Sequence, residues 1–352
     1  MTTYSQTATH ESVSDAPLVS VVIPSYGCAQ TIGAVLEALF AQTVQPLEII
    51  VVNDRSPDDL DAAVRPYRDR ITYLTNGQNL GLARSYNAGL AQATAPYVMT
   101  LHSDCILDAD YIERLLAHME QDGRIGAVTG QYLFDDIQSL ALSDRMFIAL
   151  NRIPPVTDRT DRSVHPVNFI EGKADLFRRS VIEQYGYFNT NLVLTAEDQE
   201  LSARMRHDGY TLLQDASVRF RVMFTQTSDS LWKILYKQRT YARGQMYVML
   251  KFGRAAFSVT THNRKQRARH RLCQLVFSCT FLALCVIGLL NATWWWAALL
   301  LLCLRSGMYY AMSAPFVARD RLLAVVYGPL ADAYYLAGAV EGFIKTVLYR
   351  KT

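Results

Sequence analysis

The sequence predicts an α/β domain, built on a mostly parallel sheet with flanking helices, followed by C-terminal transmembrane helices. Between residues 18 and 128, short β-branched runs alternate with helical patterns, which is typical of a parallel sheet covered on both faces. Residues 272–290 form an apolar run without a charged residue, long enough to cross a hydrocarbon core of about 30 Å. Half of the 352 residues are hydrophobic and 19% are charged, so the chain has enough apolar surface for a full core.

Charge and cysteine usage exclude several classes of protein. The formal net charge of +3 is too small to indicate a nucleic-acid partner, although residues 264–271 form a dense basic block. Residues 1–17 are polar and lack the features of a secretory signal, so we expect a disordered tail that stays in the cytoplasm. The six cysteines include no C-x-x-C pair, which argues against a disulfide framework or a zinc site.

The elements of the first half follow from these patterns in order. Strands are predicted at 18–25, 47–54, 71–76 and 97–104, and helices at 31–42, 81–93 and 110–119, with a polar helix after the second strand. Ligands of such sheets bind outside the carboxyl ends of the strands, which directs attention to 24–26, 53–56, 76–84 and 102–104. Residues 130–262 have mixed patterns, and we expect them to continue the same globule.

Three aspartates, Asp104, Asp108 and Asp110, lie at or just after the end of the fourth predicted strand, and we expect them to have different roles. Asp110 is followed three residues later by Glu113 and then by a helical apolar pattern, so Asp110 or Asp108 is predicted to cap a helix. Asp104 ends a buried strand at the edge where the ligand crevice opens, and a carboxylate there needs a partner. A divalent cation that bridges to a ligand diphosphate would supply it.

Three stretches, 19–59, 79–105 and 196–213, resemble family 2 glycosyltransferases with the GT-A fold, of the membrane-associated bacterial type. The resemblance extends over roughly residues 18 to 245. It implies an inverting enzyme that uses a nucleotide sugar together with Mn²⁺ or Mg²⁺, and a glycosyltransferase domain at 18–262.

The resemblance also implies donor-binding residues. Pro24 and Tyr26 match the first-strand loop that shapes the nucleotide pocket, and Asp54 matches the acidic residue that hydrogen-bonds the base. An Asx-type turn with Ser56 is the structural alternative for Asp54. The remaining donor-binding candidates are Arg84, Asn87, Ser103 and Asp104, and a plain surface arginine is the alternative for Arg84.

Asp104 and His102 are the metal candidates by the same resemblance. Asp104 matches the last aspartate of a D-x-D motif whose first aspartate is replaced here by His102. Histidine can ligate Mn²⁺ or donate to the nucleotide, but it supplies no second negative charge. The alternative is that His102 is a packed strand residue.

Glu197 and Asp198 are the catalytic candidates, because they match the family's E-D motif. Asp198 would take the proton of the acceptor hydroxyl as its oxygen attacks the anomeric carbon. With a lipid phosphate as acceptor, Asp198 would orient it instead. The structural alternative is that both carboxylates complement the positive N-terminal end of a helix.

Gln238, Arg239 and Arg243 resemble a degenerate Q-x-x-R-W motif and are candidates for the diphosphate or acceptor side. The missing tryptophan argues against a processive polysaccharide synthase. Residues 171–175 resemble the family segment beneath the acceptor.

The C-terminal third predicts membrane association in three parts. A basic juxtamembrane segment (263–271) precedes a transmembrane hairpin (272–312), whose second helix carries tryptophans at one end. Residues 313–352 form an interfacial or third membrane segment. The positive-inside rule favours two crossings over three, because basic residues precede the hairpin, follow it and end the chain.

These features together predict a glycosyltransferase that moves a sugar from a UDP-, GDP- or dTDP-sugar to a lipid-linked acceptor in cell-envelope or exopolysaccharide synthesis. We expect an inner-membrane protein that contacts membrane lipids, with its catalytic domain in the cytoplasm and no nucleic-acid partner. A polyprenyl-phosphate glycosyl synthase and a catalytically silent nucleotide-binding membrane module are the alternatives.

Overall fold

The computed structural model describes residues 16–133, 138, 140–151, 160–170, 172–192, 196–223, 231–253, 262–313 and 316–348. The strands are β1 Val19–Ser25, β2 Leu47–Asn53, β3 Thr72–Thr75, β4 Tyr97–Leu101, β5 Cys105–Leu107, β6 Ile125–Leu133, β7 Val164–Pro166, β8 Ala174–Arg178 and β9 Thr211–Val222. The helices are α1 Ile32–Phe40, α2 Leu60–Val64, α3 Leu82–Leu90, α4 Tyr111–Gln121, α5 Leu142–Asn151, α6 Arg179–Gln184, α7 Glu197–His207, α8 Leu231–Phe252, α9 His262–Leu290, α10 Trp294–Met312 and α11 Ala318–Leu348, with a 3₁₀ helix at Arg65–Arg70.

One sheet runs through the whole N-terminal domain in the order β3-β2-β1-β4-β8-β6-β9-β5, and β7 pairs with β9. The first four strands are parallel, as predicted. β8 runs antiparallel to β4 and β6, whereas β5 and β7 run antiparallel to β9. The strands β7, β8 and β9 therefore extend the same sheet.

Each face of the sheet is covered by its own apolar layer. Along β1, Val21 and Ile23 pack towards α1 and α4, whereas Val22 packs towards α3. This alternation is the period of two expected for side chains on a strand. Gly89 lets α3 approach closely, because a Cβ at that position would collide with the side chain of Val22. Each fully buried aliphatic side chain stabilises the fold by about 1.5–3 kcal/mol.

The start of α4 corrects the predicted capping box. Asp110 stands at the N-cap position, but its side chain makes no capping hydrogen bond. The carboxamide oxygen of Gln42 accepts the backbone N–H of Ile112 at 3.1 Å instead. Glu113 accepts from the hydroxyl of Thr43 at 2.7 Å rather than reaching back to the helix start. A neighbouring loop therefore supplies the cap.

The C-terminal helices give two candidate membrane spans in the described chain, Arg269–Leu290 within α9 and the whole of α11. Both are long and apolar enough to cross a membrane by length and composition. The basic juxtamembrane segment is the first part of α9 and continuous with its apolar run. The sequence predicted that α9 and α10 form a transmembrane hairpin. The two helices that meet the criteria of length and apolarity for a membrane span are instead α9 and α11.

A buried ion pair connects α10 to α11. Arg305 donates to both carboxylate oxygens of Asp332, at 2.7 and 3.1 Å, and the two side chains are only 3% and 0% exposed. Tyr309 donates to the same carboxylate. Removing one partner of a buried pair costs about 3–5 kcal/mol, so this contact fixes the middle of α11 beside α10.

Glycines connect α11 to the sheet domain. Gly338 and Gly342 lie one turn apart on α11, and side chains there would collide with the backbone carbonyls of Arg239 and Arg243 on α8. Small residues at this spacing let two helix backbones approach closely, as in pairs of membrane helices. The helix α8 is thereby held against a candidate membrane span.

Candidate active site

The candidate metal motif lies where β4 ends and β8 begins. These strands are antiparallel, with Leu101 opposite Ala174. The next residues continue the pairing, since the backbone N–H of His102 donates to the carbonyl of Lys173 at 2.8 Å. Gly172 and Lys173 therefore lie directly beside the motif formed by 102–104.

His102 lies just beyond the strand and is half-buried. Its ring stacks on that of Tyr86, with 6.5 Å between the ring centroids. Burial lowers the pKa of His102 to about 4; Asp104 opposes this shift and the positive charge of Lys173 adds to it. The imidazole is neutral at pH 7, so a ring nitrogen can act as a metal ligand.

The backbone of the motif is fixed by contacts from two other elements. The carbonyl of Ser103 accepts from the hydroxyl of Thr31 at 2.7 Å. The carbonyl of Asp104 accepts from the N–H of Met223 at 2.7 Å. Asp104 is half-buried, and its Oδ1 accepts from the Cys105 thiol at 3.6 Å.

Asp104 and His102 fit a divalent cation whose coordination is completed by a ligand. In the described part of the chain, no group of three or more His, Cys, Asp or Glu side chains could hold a metal. Mg²⁺ commonly uses one or two carboxylates together with substrate phosphates and waters. A complete protein cage is thus not needed for a cation that arrives with a diphosphate.

Asp198 lies in the first turn of α7, next to Gly172. A Cβ at position 172 would lie 3.5 Å from the Cβ of Asp198 and 3.9 Å from its Oδ2. Gly172 has a φ of +71°, which glycine adopts without strain. Asp198 Oδ1 also accepts the backbone N–H of Gln199 at 2.7 Å. The segment 172–173 therefore contacts the catalytic candidate on one side and the metal candidate on the other.

Glu197 is placed differently from its neighbour. Its Oε2 is buried and accepts no hydrogen bond from any described residue. Burial raises the pKa of Glu197. The preceding residue, Ala196, has a left-handed backbone with φ +70°, which is costly for a residue with a Cβ. The strained start of α7 thus separates the environments of the two carboxyl groups.

The position of α7 is fixed by a buried carboxylate. Glu200 is almost fully buried and accepts from Arg204 at 2.8 Å and from Lys251 of α8 at 3.1 Å. The predicted alternative, that the acidic residues complement the helix end, agrees with their place in the first turn. That role is compatible with a catalytic one for Asp198.

Some of the predicted donor-binding residues are exposed in the structure, whereas others are buried. Tyr26 follows β1 and is 54% exposed, and Arg84 is exposed on the first turn of α3. Pro24 is not in a loop: it is buried within β1, opposite Val52 of β2. Pro24 thus belongs to the end of the predicted first strand, and its contribution to the nucleotide pocket stays a prediction.

Asp54 anchors the loop that leads into α3. Its buried carboxylate accepts the N–H groups of Leu80 and Gly81 at 2.7 and 2.8 Å, and the side-chain amide of Asn76 at 2.8 Å. The Asx turn expected as the alternative is formed by Asn53, whose Oδ1 accepts the N–H of Ser56 at 2.8 Å. Contact between Asp54 and a base stays a prediction.

Asn87 pairs with a backbone instead of standing open to a nucleotide. Its amide nitrogen donates to the carbonyl of Phe188 at 2.9 Å, and its Oδ1 accepts the N–H of the same residue at 3.0 Å. The two bonds give Asn87 a positioning role between α3 and the loop after α6, and its predicted contact with a nucleotide stays a prediction.

The predicted diphosphate side is also corrected. Gln238 is fully buried and accepts from Arg271 of α9 at 3.0 Å. Arg239 and Arg243 donate to Glu341 of α11 at 2.9 and 3.1 Å. These three residues bind the membrane helices, because α8 packs along α11 over much of its length. Glu171, predicted near the acceptor, lies outside the described residues.

Lys173 is the neighbour that sequence reasoning left without a role. In the sequence, Gly172 and Lys173 directly precede the residues of strand β8, Ala174–Arg178. Only the antiparallel pairing of β8 with β4, across more than seventy residues, brings them to the motif.

Comparison with known proteins agrees with this geometry. Residues 20–186 match the model of glycosyl transferase family 2. This match identifies residues 20–186 as a glycosyl transferase family 2 domain. The poly-beta-1,6-N-acetyl-D-glucosamine synthase of Staphylococcus aureus (strain COL) is 26% identical over 235 residues, which are 66% of this chain and 56% of that protein. The synthase of the same name from Staphylococcus epidermidis is 24% identical over the same shares. The chain thus matches just over half the length of these curated relatives.

The solved structure of the mannosyltransferase PcManGT from Pyrobaculum calidifontis, in complex with GDP-Man and Mn²⁺, is similar to this chain with a TM-score of 0.56 and 18% identity. The similarity covers 96% of this chain and 88% of that one. The mixed sheet with flanking helices is accordingly the GT-A fold, which confirms the predicted fold of the glycosyltransferase domain.

Proposed function

We propose that this glycosyltransferase moves a sugar, with inversion, from a nucleotide-sugar donor to a lipid-linked acceptor in exopolysaccharide or cell-envelope glycan synthesis. The observation that carries the proposal is the position of Gly172 and Lys173, which contact Asp198 on one side and the 102–104 motif on the other. A base and a diphosphate site are thereby next to each other, as direct displacement requires.

Asp198 is the proposed base. Its carboxylate takes the proton from the acceptor hydroxyl while the acceptor oxygen forms a bond to the anomeric carbon. The bond between that carbon and the diphosphate oxygen breaks, and the nucleoside diphosphate leaves with the electron pair. Attack opposite the leaving group inverts the anomeric centre. Glu197 is less suited to this role, because its Oε2 is buried and out of reach of an acceptor hydroxyl.

A divalent cation, Mn²⁺ or Mg²⁺, is proposed at Asp104 and His102. When bound, it would offset negative charge on the diphosphate. The neutral imidazole of His102 and the half-buried carboxylate of Asp104 are suitable ligands. Mn²⁺ accompanies GDP-Man in the mannosyltransferase of the same fold, which supports a nucleotide-sugar donor and a metal here.

We propose that the acceptor is reached at the cytoplasmic surface of the inner membrane. The two candidate spans and the packing of α8 on α11 support a position of the catalytic domain next to a bilayer. The outer side of α8 exposes Trp232 and Tyr236 next to Lys233 and Lys237. Aromatic and basic side chains of this kind suit the headgroup region and support an acceptor carried on a lipid. The name of the staphylococcal relatives supports a polysaccharide product.

The experiment is nucleoside diphosphate release by purified, detergent-solubilised protein. UDP-, GDP- and dTDP-sugars are offered separately with Mn²⁺ or Mg²⁺ and a bacterial lipid extract, and Asp198→Asn serves as the inactive variant. We expect release from one donor that requires the lipid and is lost in the variant, whereas nucleotide binding is retained.

Two outcomes would replace the proposal. A lipid-phosphate sugar as the product would identify a polyprenyl-phosphate glycosyl synthase. Nucleotide binding without transfer to any lipid fraction would favour a catalytically silent nucleotide-binding membrane module. Equal rates in the wild type and Asp198→Asn would remove Asp198 from the mechanism.

A further inference from the structure

The arginines predicted to bind the donor diphosphate form ion pairs at another place in the structure. Arg239 and Arg243 donate to Glu341, which also accepts from Lys345 at 2.8 Å. This cluster lies between α8 and α11, on the membrane side of the domain. A donor diphosphate carries two or more negative charges, so its binding beside the carboxylates Asp104 and Asp198 requires positive charge from another source.

Lys173 lies where that charge is needed. Its carbonyl accepts the N–H of His102, and the adjacent Gly172 contacts Asp198. The carbonyl of Gly172 also accepts from the hydroxyl of Tyr86 at 3.2 Å, which holds the segment against α3. The backbone of Lys173 is therefore fixed between the metal candidate and the base candidate.

The side chain of Lys173 packs against an aromatic ring. Its Nζ lies 4.4 Å from the centre of the Tyr132 ring, and the residue is half-buried. Among the described side chains, no carboxylate forms an ion pair with it within 4.0 Å. An aromatic face attracts an ammonium group but does not neutralise it. The charge remains available to an anionic ligand.

The replacement of an aspartate by His102 strengthens the need for Lys173. A motif with two carboxylates could hold a cation tightly, and that cation would supply most of the positive charge. Here Asp104 is the single carboxylate of the motif, because a histidine, His102, stands at its first position. The positive charge at the diphosphate would then come from both the cation and the ammonium group of Lys173.

We infer that Lys173 binds the diphosphate of the donor and supports nucleotide binding even when no divalent metal is present. This inference rests on the proposed function, because it concerns the same donor site. Lys173 would then bind a ligand, whereas its contact with Tyr132 alone would serve only to stabilise the fold.

The test measures nucleotide binding instead of turnover. UDP, GDP and dTDP, and the corresponding monophosphates, are titrated calorimetrically into the full-length protein in detergent, once with EDTA and once with Mn²⁺. The variants are Lys173→Met, which keeps much of the side-chain length, and Lys173→Arg, which keeps the charge. Lys233→Met, on the exposed side of α8, is the matched control.

We expect the diphosphate that binds the wild type to bind Lys173→Met at least tenfold more weakly in EDTA and by a smaller factor with Mn²⁺. Lys173→Arg and Lys233→Met should stay within threefold of the wild type, and monophosphate binding should change less than threefold. An unchanged diphosphate affinity in Lys173→Met, or equal weakening of mono- and diphosphate, would overturn the inference and leave the proposed function standing. A wild type that binds none of the nucleotides would overturn both.

Discussion

Gly172 contacts Asp198 across the candidate site, with 3.5 Å between the position of a Cβ at 172 and the Cβ of Asp198. This contact joins the end of the central sheet to the first turn of α7. The φ of +71° favours glycine at position 172, and a side chain there would be in van der Waals contact with the proposed base. The relationship leads directly to a test in which backbone strain and active-site contact are separated.

Gly172→Ala should lower the rate of sugar transfer by about tenfold or more while nucleotide binding is retained, because the new methyl group contacts the carboxylate of Asp198. Gly186→Ala is the matched control: its φ of +64° imposes the same strain, but a Cβ there meets nothing within 4 Å. Both variants should lose about 1–2 kcal/mol of stability from the left-handed backbone. Equal transfer rates in the two variants would show that Gly172 does not act through Asp198.

Glu197→Gln should make the stability of the protein less dependent on pH. Burial raises the pKa of Glu197 above its ordinary value of 4.5, so the folded state holds this proton more tightly than the unfolded state. The stabilisation is complete below about pH 4.5 and is lost as pH rises through the raised pKa. We expect the Tm of Glu197→Gln to exceed that of the wild type increasingly between pH 5 and 8.

Scanning fluorimetry in detergent across that pH range measures the difference in Tm. Glu120→Gln is the control, because Glu120 is exposed on α4. A Tm difference that is constant over this pH range would show that Glu197 is not buried as described.

His102→Asp should strengthen Mn²⁺ binding in the presence of a nucleoside diphosphate by about tenfold or more. The substitution adds a second carboxylate to Asp104, and divalent cations such as Mn²⁺ prefer oxygen ligands with negative charge. His102→Asn introduces a side chain with the shape of aspartate but without its charge, so this variant should bind Mn²⁺ no better than the wild type. Electron paramagnetic resonance of free Mn²⁺ gives the affinities. Identical affinity in all three proteins would place the metal elsewhere.

Much of the fold follows from local sequence patterns. The four parallel strands come from β-branched runs, and each lies close to its predicted bounds, because alternation with helices specifies a covered parallel sheet. The short strand β5 and the antiparallel placement of β8 were not predictable. They depend on partners such as β9, more than a hundred residues away from β5, and no local pattern encodes such a pairing.

The candidate site was predictable in part. The roles of Asp198 and of the 102–104 motif came from the family resemblance and stay predictions, whereas the structure shows that the segment 172–173 lies between them. The partners of Asn87, Arg239 and Arg243 could not be predicted from the sequence, because Phe188 and Glu341 belong to distant elements. A polar side chain near a ligand site looks the same in sequence whether it binds the ligand or a neighbouring backbone.

The contact between α8 and α11 gives the last prediction. A side chain at Gly338 would collide with the carbonyl of Arg239, and a backbone atom cannot rotate away from it, so Gly338→Ala should cost about 1–3 kcal/mol through overpacking. Gly307→Ala on α10 is the matched control, since a Cβ there meets nothing within 4 Å and alanine favours the helix. We expect a lower Tm in detergent for Gly338→Ala and an unchanged or higher one for Gly307→Ala. If both variants melt like the wild type, α11 does not pack on α8 through this glycine, and the attachment of the catalytic domain to the membrane helices must be formed by other contacts.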